Sequence, residues 1–306
     1  MFSVHDFYSQ THAKWILAGE HAVLRGHGAL VFPLHAKKMT LQYQDNGATL
    51  SANFEGEQGE DLHLLFWSVI EHGLKQVHRD LNHVTGHFLL SNNIPIGSGL
   101  GASAALCLNI GRWFAWKQWI PSEELFDFSK YLEDLFHGKS SGLDLAGSLY
   151  DTGTYFSPRS VHPLIEQIIP AWKPCWALSF SGQIGITSHC VRKVQQLHQD
   201  SPELAKSLDN QMENCVQLAR KALETHSTHG HSSQGLELLS QAIHQAKDCF
   251  SSWGLTSSIL ANHMQILTDA GAIACKPTGS GDGGYVLSLW KESIPASISN
   301  IELIYI

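Results

Sequence analysis

The stretch Pro95-Ile-Gly-Ser-Gly-Leu-Gly-Ala-Ser-Ala-Ala105 combines a glycine-rich turn with the start of a helix of small residues. Glycines let backbone N–H groups approach an anion closely, and the first turn of a helix adds unpaired N–H groups and the positive end of its dipole. The segment therefore predicts a phosphate-binding turn, in which the Ser103 hydroxyl could bind a magnesium ion or a phosphate oxygen. The alternative is a tight strand-to-helix turn that binds nothing.

A second interpretation of the same turn is dinucleotide binding, since Gly97, Gly99 and Ala102 match the spacing G-x-G-x-x-A. That motif requires an acidic residue about 20 positions further on, at the end of a second strand. Glu123 and Glu124 come near this spacing, but they stand at a predicted helix start. A nicotinamide-dependent oxidoreductase is therefore only a remote alternative.

The pattern outside the turn predicts a mixture of strands and helices. Short apolar runs broken by polar residues mark the first fifty or so positions as strands and hairpins. Periodic apolar positions predict helices over 60–79, 103–118, 122–137, 203–225, 234–250 and 256–270. Strand candidates at 285–290 and 301–306 close the chain.

Composition and charge exclude several classes of partner. The 306 residues carry a formal net charge of −8 with no basic run, which gives no footprint for nucleic acid or for an anionic membrane. The six cysteines form no C-x-x-C pair, and no apolar run approaches membrane-spanning length. The first residues also lack the basic and apolar regions of an export signal. We expect a cytoplasmic protein.

Three segments of the chain resemble the signatures of GHMP kinases, in the order found in that superfamily. The first is Lys14-Trp-Ile-Leu-Ala-Gly-Glu-His-Ala-Val23, in which Gly-Glu-His-Ala-Val is closest to the mevalonate kinase form. The second is the stretch at 95–105, and the third is Lys276-Pro-Thr-Gly-Ser-Gly-Asp-Gly-Gly284. Because three matches in order are improbable by chance, the chain is identified as a member of the superfamily, most similar to the mevalonate kinases.

Two positions depart from the signatures. His12-Ala13 stands where the family usually has Pro-Gly before the lysine of the first segment, which puts the local backbone geometry in doubt. Asp282 interrupts the glycine run of the third segment. A carboxylate beside a phosphate-binding loop would be repelled unless it faces away or meets a cation.

The resemblance implies an α+β fold with two domains and an ATP site. Residues 1–165 are expected to form a domain related to the second domain of ribosomal protein S5, and residues 166–306 a domain of ferredoxin-like layout. ATP is expected to bind the glycine-rich segments. The residues implied are Pro95, Gly97, Ser98, Gly99, Leu100, Gly101, Ala102, Ser103 and Gly279.

The resemblance also implies a catalytic pair. The segment His137-Gly-Lys-Ser-Ser-Gly-Leu-Asp144 is similar to the one that carries the general base of mevalonate kinases, which assigns this role to Asp144. Lys14 is expected close by, where it would keep Asp144 ionised and stabilise the attacking oxygen. Without the resemblance, Asp144 would be interpreted only as a residue near the start of a short helix.

The resemblance also implies a magnesium-binding glutamate eleven residues before the base, which is the position of Glu133. The neighbouring Asp134 competes for this role. On a helical wheel, Glu133 lies at the edge of an apolar face, whereas Asp134 points to the opposite, solvated side. The residues of that face are Leu125, Phe128, Leu132, Leu135 and Phe136. Magnesium is therefore expected on Glu133 and the Ser103 hydroxyl.

The activity implied is transfer of the γ-phosphoryl group of ATP to a small alcohol, with mevalonate and its 5-hydroxyl as the expected acceptor. The acceptor is expected to contact Lys14, Glu20, His21, Asp144 and Thr278. Phosphomevalonate kinase or another GHMP kinase is the alternative. A catalytically silent nucleotide-binding relative is disfavoured because Lys14, Glu133 and Asp144 are all present. A monomer or a homodimer is compatible with the sequence.

Overall fold

Two compact units make up this chain in a computed structural model, which describes residues 5–57, 59–158, 162–226, 232–295, 298 and 301–306. The first unit comprises Met1–Lys14, Lys37–Ile96 and Leu100–Asp151, and the second comprises Trp15–Ala36, Gly97–Gly99 and Thr152–Ile306. Both contain helices and strands, which confirms the α+β class. The two units interleave along the chain, so the division into residues 1–165 and 166–306 stays a prediction.

Four strands contribute to the sheet of the first unit, namely β1 (Phe7–Ala18), β2 (Ala29–Thr49), β3 (Ser51–Glu55) and β4 (Thr85–Asn92). Of the two longest, β1 belongs to this unit up to Lys14 and β2 from Lys37. β2 pairs antiparallel with β4, so that Met39 lies opposite Asn92, and β3 runs parallel to β4. Burial alternates along β4 with the period of two expected of a strand that has one face on the core.

The helices of the first unit are α1 (His63–Gln76), α2 (Ala102–Trp116), α3 (Leu125–His137) and α4 (Leu143–Leu149). α2 is buried along most of its length, and its Trp113 packs edge-on against Phe88 of β4. At Gly111, an added Cβ would lie 2.5 Å from Ser129 Oγ of α3, so the two helices approach closely where glycine stands. The predictions of helices near 60–79, 103–118 and 122–137 are confirmed, with a 3-10 turn preceding α3.

The apolar face predicted for α3 is wrong in one respect. Leu135 is 45% exposed, whereas the fully buried positions include Ser129 and Glu133. The buried face is therefore rotated towards these two polar residues. The close approach of α2 at Gly111 accounts for Ser129, because a small side chain is required opposite the glycine.

In its described residues, the second unit contains a four-stranded antiparallel sheet and four α-helices. The strands β7 (Cys175–Phe180), β8 (Ala274–Thr278), β9 (Tyr285–Trp290) and β10 (Leu303–Tyr305) lie in the order β10-β7-β9-β8. The helices are α5 (Thr187–Asp200), α6 (Pro202–Glu224), α7 (Ser233–Ser252) and α8 (Ser258–Asp269). Leu260, Met264 and Leu267 of α8 pack with Val286 and Trp290 in one apolar cluster.

Two further strands, β5 (Gly153–Ser157) and β6 (Leu164–Ile168), pair with each other, and β5 also pairs antiparallel with residues 29–31 of β2. The helices predicted from 203, 234 and 256 are confirmed, but α5 was not predicted. Its buried residues are only Cys190 and Val194, so its apolar stripe is too narrow to mark a helix by periodicity. Among the described residues, no helix is both long and apolar enough to span a bilayer.

Candidate functional site

Lys14 and Asp144 form an ion pair in the first unit, with 2.6 Å between Lys14 Nζ and Asp144 Oδ1. β1 carries Lys14, whose backbone N–H donates to the Leu100 carbonyl. α4 carries Asp144 in its first turn, after Gly142 in the left-handed conformation. The ammonium is almost fully buried, whereas the carboxylate is about a third exposed, at 32%. The pair therefore presents a negatively charged oxygen towards solvent beside a desolvated cation.

Gly101 fixes the path of the Lys14 side chain. It has φ +80°, and an added Cβ would lie 2.8 Å from Lys14 Cγ. The aliphatic part of Lys14 therefore runs directly against the turn that starts α2, which any larger residue would obstruct. Ser103 lies in the first turn of this helix, as predicted.

Glu133 is a buried carboxylate with one oxygen partnered and the other not. Its Oε2 accepts a hydrogen bond from Ser140 Oγ at 2.5 Å, whereas its Oε1 has no hydrogen-bond donor among the described residues. Burial, followed by the negative charge of Asp144, raises the pKa of Glu133 above its ordinary value. An unpartnered buried oxygen of this kind costs free energy unless a proton or a cation reaches it.

Asp134 has a different environment from its neighbour. Its side chain is 34% exposed, its Oδ1 accepts a hydrogen bond from the Ser140 backbone, and its Oδ2 lies 3.8 Å from Lys130 Nζ. The difference in burial predicted for Glu133 and Asp134 is thus observed.

The glycine-rich segments of the second unit contact each other. A Cβ added to Gly99 would lie 4.0 Å from the Gly279 Cα and the Thr278 carbonyl, so the backbones approach within van der Waals distance. Gly97, Gly99 and Gly279 all have positive φ, which glycine adopts without strain. Thr278 Oγ1 donates to the Ile16 carbonyl and accepts from the Ile16 N–H. This threonine is thereby fixed to the backbone of β1.

Asp282, the departure from the third signature, meets a cation. Lys193 Nζ of α5 lies 2.5 Å from Asp282 Oδ2 and also donates to the Gly254 carbonyl. Asp282 has φ +60°, a conformation that aspartate tolerates better than most residues. Lys193 therefore balances the negative charge of Asp282, and no local sequence pattern predicts this ion pair.

Glu20 and His21 are both held by the third glycine-rich segment. Lys276 Nζ lies 2.5 Å from Glu20 Oε1, and both side chains are buried. His21 Nε2 donates to the Ser280 carbonyl at 2.9 Å, and its ring packs edge-on against Phe250 and Trp253. Burial lowers the pKa of His21 to about 4, so the imidazole is neutral near pH 7.

The candidate site residues fall into two groups, one in each unit. Three of them come together in the first unit: Lys14, Glu133 and Asp144. The same unit contains the residues at the start of α2, which are Leu100, Gly101, Ala102 and Ser103. The second unit contains two adjoining turns, formed by Gly97, Ser98 and Gly99 and by Thr278 and Gly279. Glu20 and His21 contact the third glycine-rich segment of the same unit. Pro95 belongs to the first unit and lies two residues before Gly97, where the glycine-rich turn begins.

Comparisons with known proteins identify the family that this chain resembles. Residues 65–152 match the family model described as the GHMP kinases N terminal domain. A curated relative, the mevalonate kinase of Thermococcus sibiricus, is 25% identical over 315 aligned positions, which cover 94% of this chain and 91% of the relative.

Two solved structures are similar over nearly the whole chain. L. major mevalonate kinase in complex with R-mevalonate has a TM-score of 0.75 at 20% identity, covering 95% of this chain and 87% of that one. Streptococcus pneumoniae phosphomevalonate kinase has a TM-score of 0.72 at 17% identity, covering 99% of each chain. At these identities the structural similarity supports the two-domain fold and does not distinguish between acceptors.

Proposed function

Because this chain belongs to the GHMP kinase superfamily, we propose that it transfers the γ-phosphoryl group of ATP to a small alcohol, and that the alcohol is mevalonate, phosphorylated on its 5-hydroxyl. The mevalonate kinases among its curated relatives support the choice of acceptor. The observation that carries the proposal is the Lys14–Asp144 ion pair, since phosphoryl transfer to an alcohol needs a group that accepts the hydroxyl proton.

In the proposed mechanism, Asp144 accepts the proton of the acceptor hydroxyl through its exposed oxygen. Lys14 pairs with this carboxylate and stabilises the negative charge that develops on the attacking oxygen. A buried ammonium suits this role because electrostatic interactions are stronger where water is excluded. Glu20, His21 and Thr278 are proposed to orient the acceptor. His21 would act as a neutral imidazole.

The glycine-rich segments are proposed to bind the ATP phosphates through backbone N–H groups at 97–103 and at Gly279. Magnesium, when bound, neutralises charge on the phosphates. Glu133 fits a cation because its Oε1 is buried without a hydrogen-bond donor among the described residues, and Ser103 offers a hydroxyl at the start of α2. Oxygen ligands of this kind suit magnesium.

The second candidate is a phosphomevalonate kinase, because the structural similarity to the Streptococcus pneumoniae enzyme is equally extensive and leaves the acceptor open. Its acceptor carries a phosphate in addition to a carboxylate, so it needs more positive charge at the site. A cytoplasmic location and a monomeric or homodimeric state remain predictions.

An acceptor panel tests the proposal. ADP release is measured with mevalonate, phosphomevalonate, homoserine and galactose, each with ATP and magnesium, and binding of ATP–magnesium and of NAD is measured by calorimetry. We expect the highest kcat/KM with mevalonate and no binding of NAD. A preference for phosphomevalonate would select the second candidate, and NAD binding without ATP binding would exclude a kinase.

A further inference from the structure

A buried polar network in the first unit connects the elements that carry Lys14 and Asp144. Ser9 and Thr11 are buried positions of β1, and both hydroxyls donate to Asn109 Oδ1 of α2, at 2.6 and 3.0 Å. Asn109 Nδ2 in turn donates to the Met39 carbonyl of β2. The amide of Asn109 therefore uses both of its ends to bind the two strands to α2.

Arg112 extends this network to α4. It lies one turn after Asn109, on the same side of α2. Its Nη1 donates to the Gln10 carbonyl and to Thr11 Oγ1, both at 2.8 Å, and its Nη2 donates to the Leu149 carbonyl at 3.3 Å. Thr11 precedes Lys14 by three residues, and Leu149 is the last residue of the helix that begins beside Asp144. The guanidinium of Arg112 thus binds both elements that carry the ion pair, β1 and α4.

The chemistry of these contacts indicates a positioning role. Arg112 donates to two backbone carbonyls and one hydroxyl, and to no carboxylate in these three bonds. These hydrogen bonds therefore fix the positions of the backbone. The planar guanidinium can donate several bonds in fixed directions, which the single ammonium of a lysine cannot reproduce. Removal of Arg112 would leave the Gln10 and Leu149 carbonyls without this donor and would free the end of α4 to move relative to β1.

We propose that Arg112, supported by Asn109, is a positioning residue that sets the distance between Lys14 and Asp144 by connecting β1 to the end of α4. The proposal rests on the function proposed above, because it assigns to Arg112 an effect on catalysis through Asp144. A displacement of about 1 Å in a reacting group can cost about 100-fold in rate. The role therefore predicts a loss in kcat and little change in KM.

The test measures Arg112→Met alone and in an Asp144→Asn background, with mevalonate and ATP as substrates. We expect Arg112→Met to lower kcat by about 10- to 100-fold, with both KM values within about threefold of wild type. In the Asp144→Asn background the same substitution should lower kcat by about twofold or less, because residues that act as a unit are non-additive. Arg112→Lys should recover part of the loss.

A second readout does not depend on activity. Amide hydrogen exchange over residues 143–149 should be faster in Arg112→Met than in wild type, since α4 loses a contact at its end. The matched control is Arg79→Met, which removes another arginine of the same unit that stacks on Trp119. The control should change neither kcat nor exchange in α4. If Arg112→Met does not fold, Arg112→Gln is used in both measurements.

The outcomes separate the two proposals. An equal loss of kcat in both backgrounds, an unchanged kcat, or unchanged exchange in α4 would overturn the role of Arg112. If the wild-type protein phosphorylates none of the acceptors, the proposed function fails, and the exchange measurement still decides whether Arg112 holds α4.

Discussion

The Asp144 carboxylate is the first residue to test, because it pairs with a buried lysine. Asp144→Asn keeps the shape and removes the charge, so it should lower kcat by about 10²–10⁴-fold and leave ATP affinity unchanged. Lys14→Met should also lower kcat, and the double variant should lose less than the product of the two. Steady-state kinetics and ATP titration measure this, with the exposed Asp61→Asn as control. A loss confined to ATP binding would reassign Asp144.

Glu133 and Asp134 provide a matched comparison within one helix. Glu133→Gln removes the charge of a buried carboxylate and should raise the magnesium concentration needed for half-maximal activity by at least about tenfold. Asp134→Asn should be nearly neutral, because its side-chain oxygen can still accept the Ser140 hydrogen bond. Activity is measured across a magnesium titration. The opposite pattern would transfer the metal role to Asp134.

At the scale of the element, the turn that begins α2 tolerates no side chain at Gly101. Gly101→Ala should lower kcat by about 10-fold or more, because its Cβ would displace Lys14. Gly47→Ala is the control, since its φ of +68° imposes a similar backbone strain and an added Cβ would meet nothing within 4 Å. Kinetics of both variants at equal folded concentration measure the effect. Equal losses would attribute the effect to backbone strain alone.

The elements also show what the sequence could and could not predict. α2 was predictable because glycine and small residues at 97–105 constrain the backbone locally, and the burial of Glu133 followed from the 3.6-residue period. α5 was missed because only two of its residues are buried. Lys193 and Arg112 were missed for another reason. The partners of Lys193 lie 61 and 89 residues away and those of Arg112 lie 37 to 103 residues away, and no local pattern encodes such pairings.

At the scale of the whole molecule, neutral buried His21 makes stability depend on pH. The pKa of histidine is 6.5 in the unfolded chain and about 4 in the fold, so between these values the unfolded state binds more protons. The stabilisation is complete above pH 6.5 and is lost as the pH falls through 4. It amounts to roughly 3 kcal/mol at most.

Urea unfolding at pH 7 and pH 4 measures this contribution. The free energy of unfolding should fall less over this range in His21→Asn than in wild type, because asparagine carries no titrating group. His83→Asn, at an exposed position, should leave the pH dependence unchanged. The prediction is wrong if His21→Asn and wild type lose the same free energy.

The interleaving of the two units has a consequence for synthesis on the ribosome. Residues 29–31 are fully buried in the fold, but β5, their partner, is translated roughly 120 residues later. At about 5–20 residues per second, the nascent chain therefore presents an apolar strand with one unpaired edge for on the order of 10 s. Because β2 also pairs with β1, only its edge towards β5 waits during that interval. We expect this open edge to favour chaperone binding and aggregation, so translation speed should influence how much of this chain reaches the folded state.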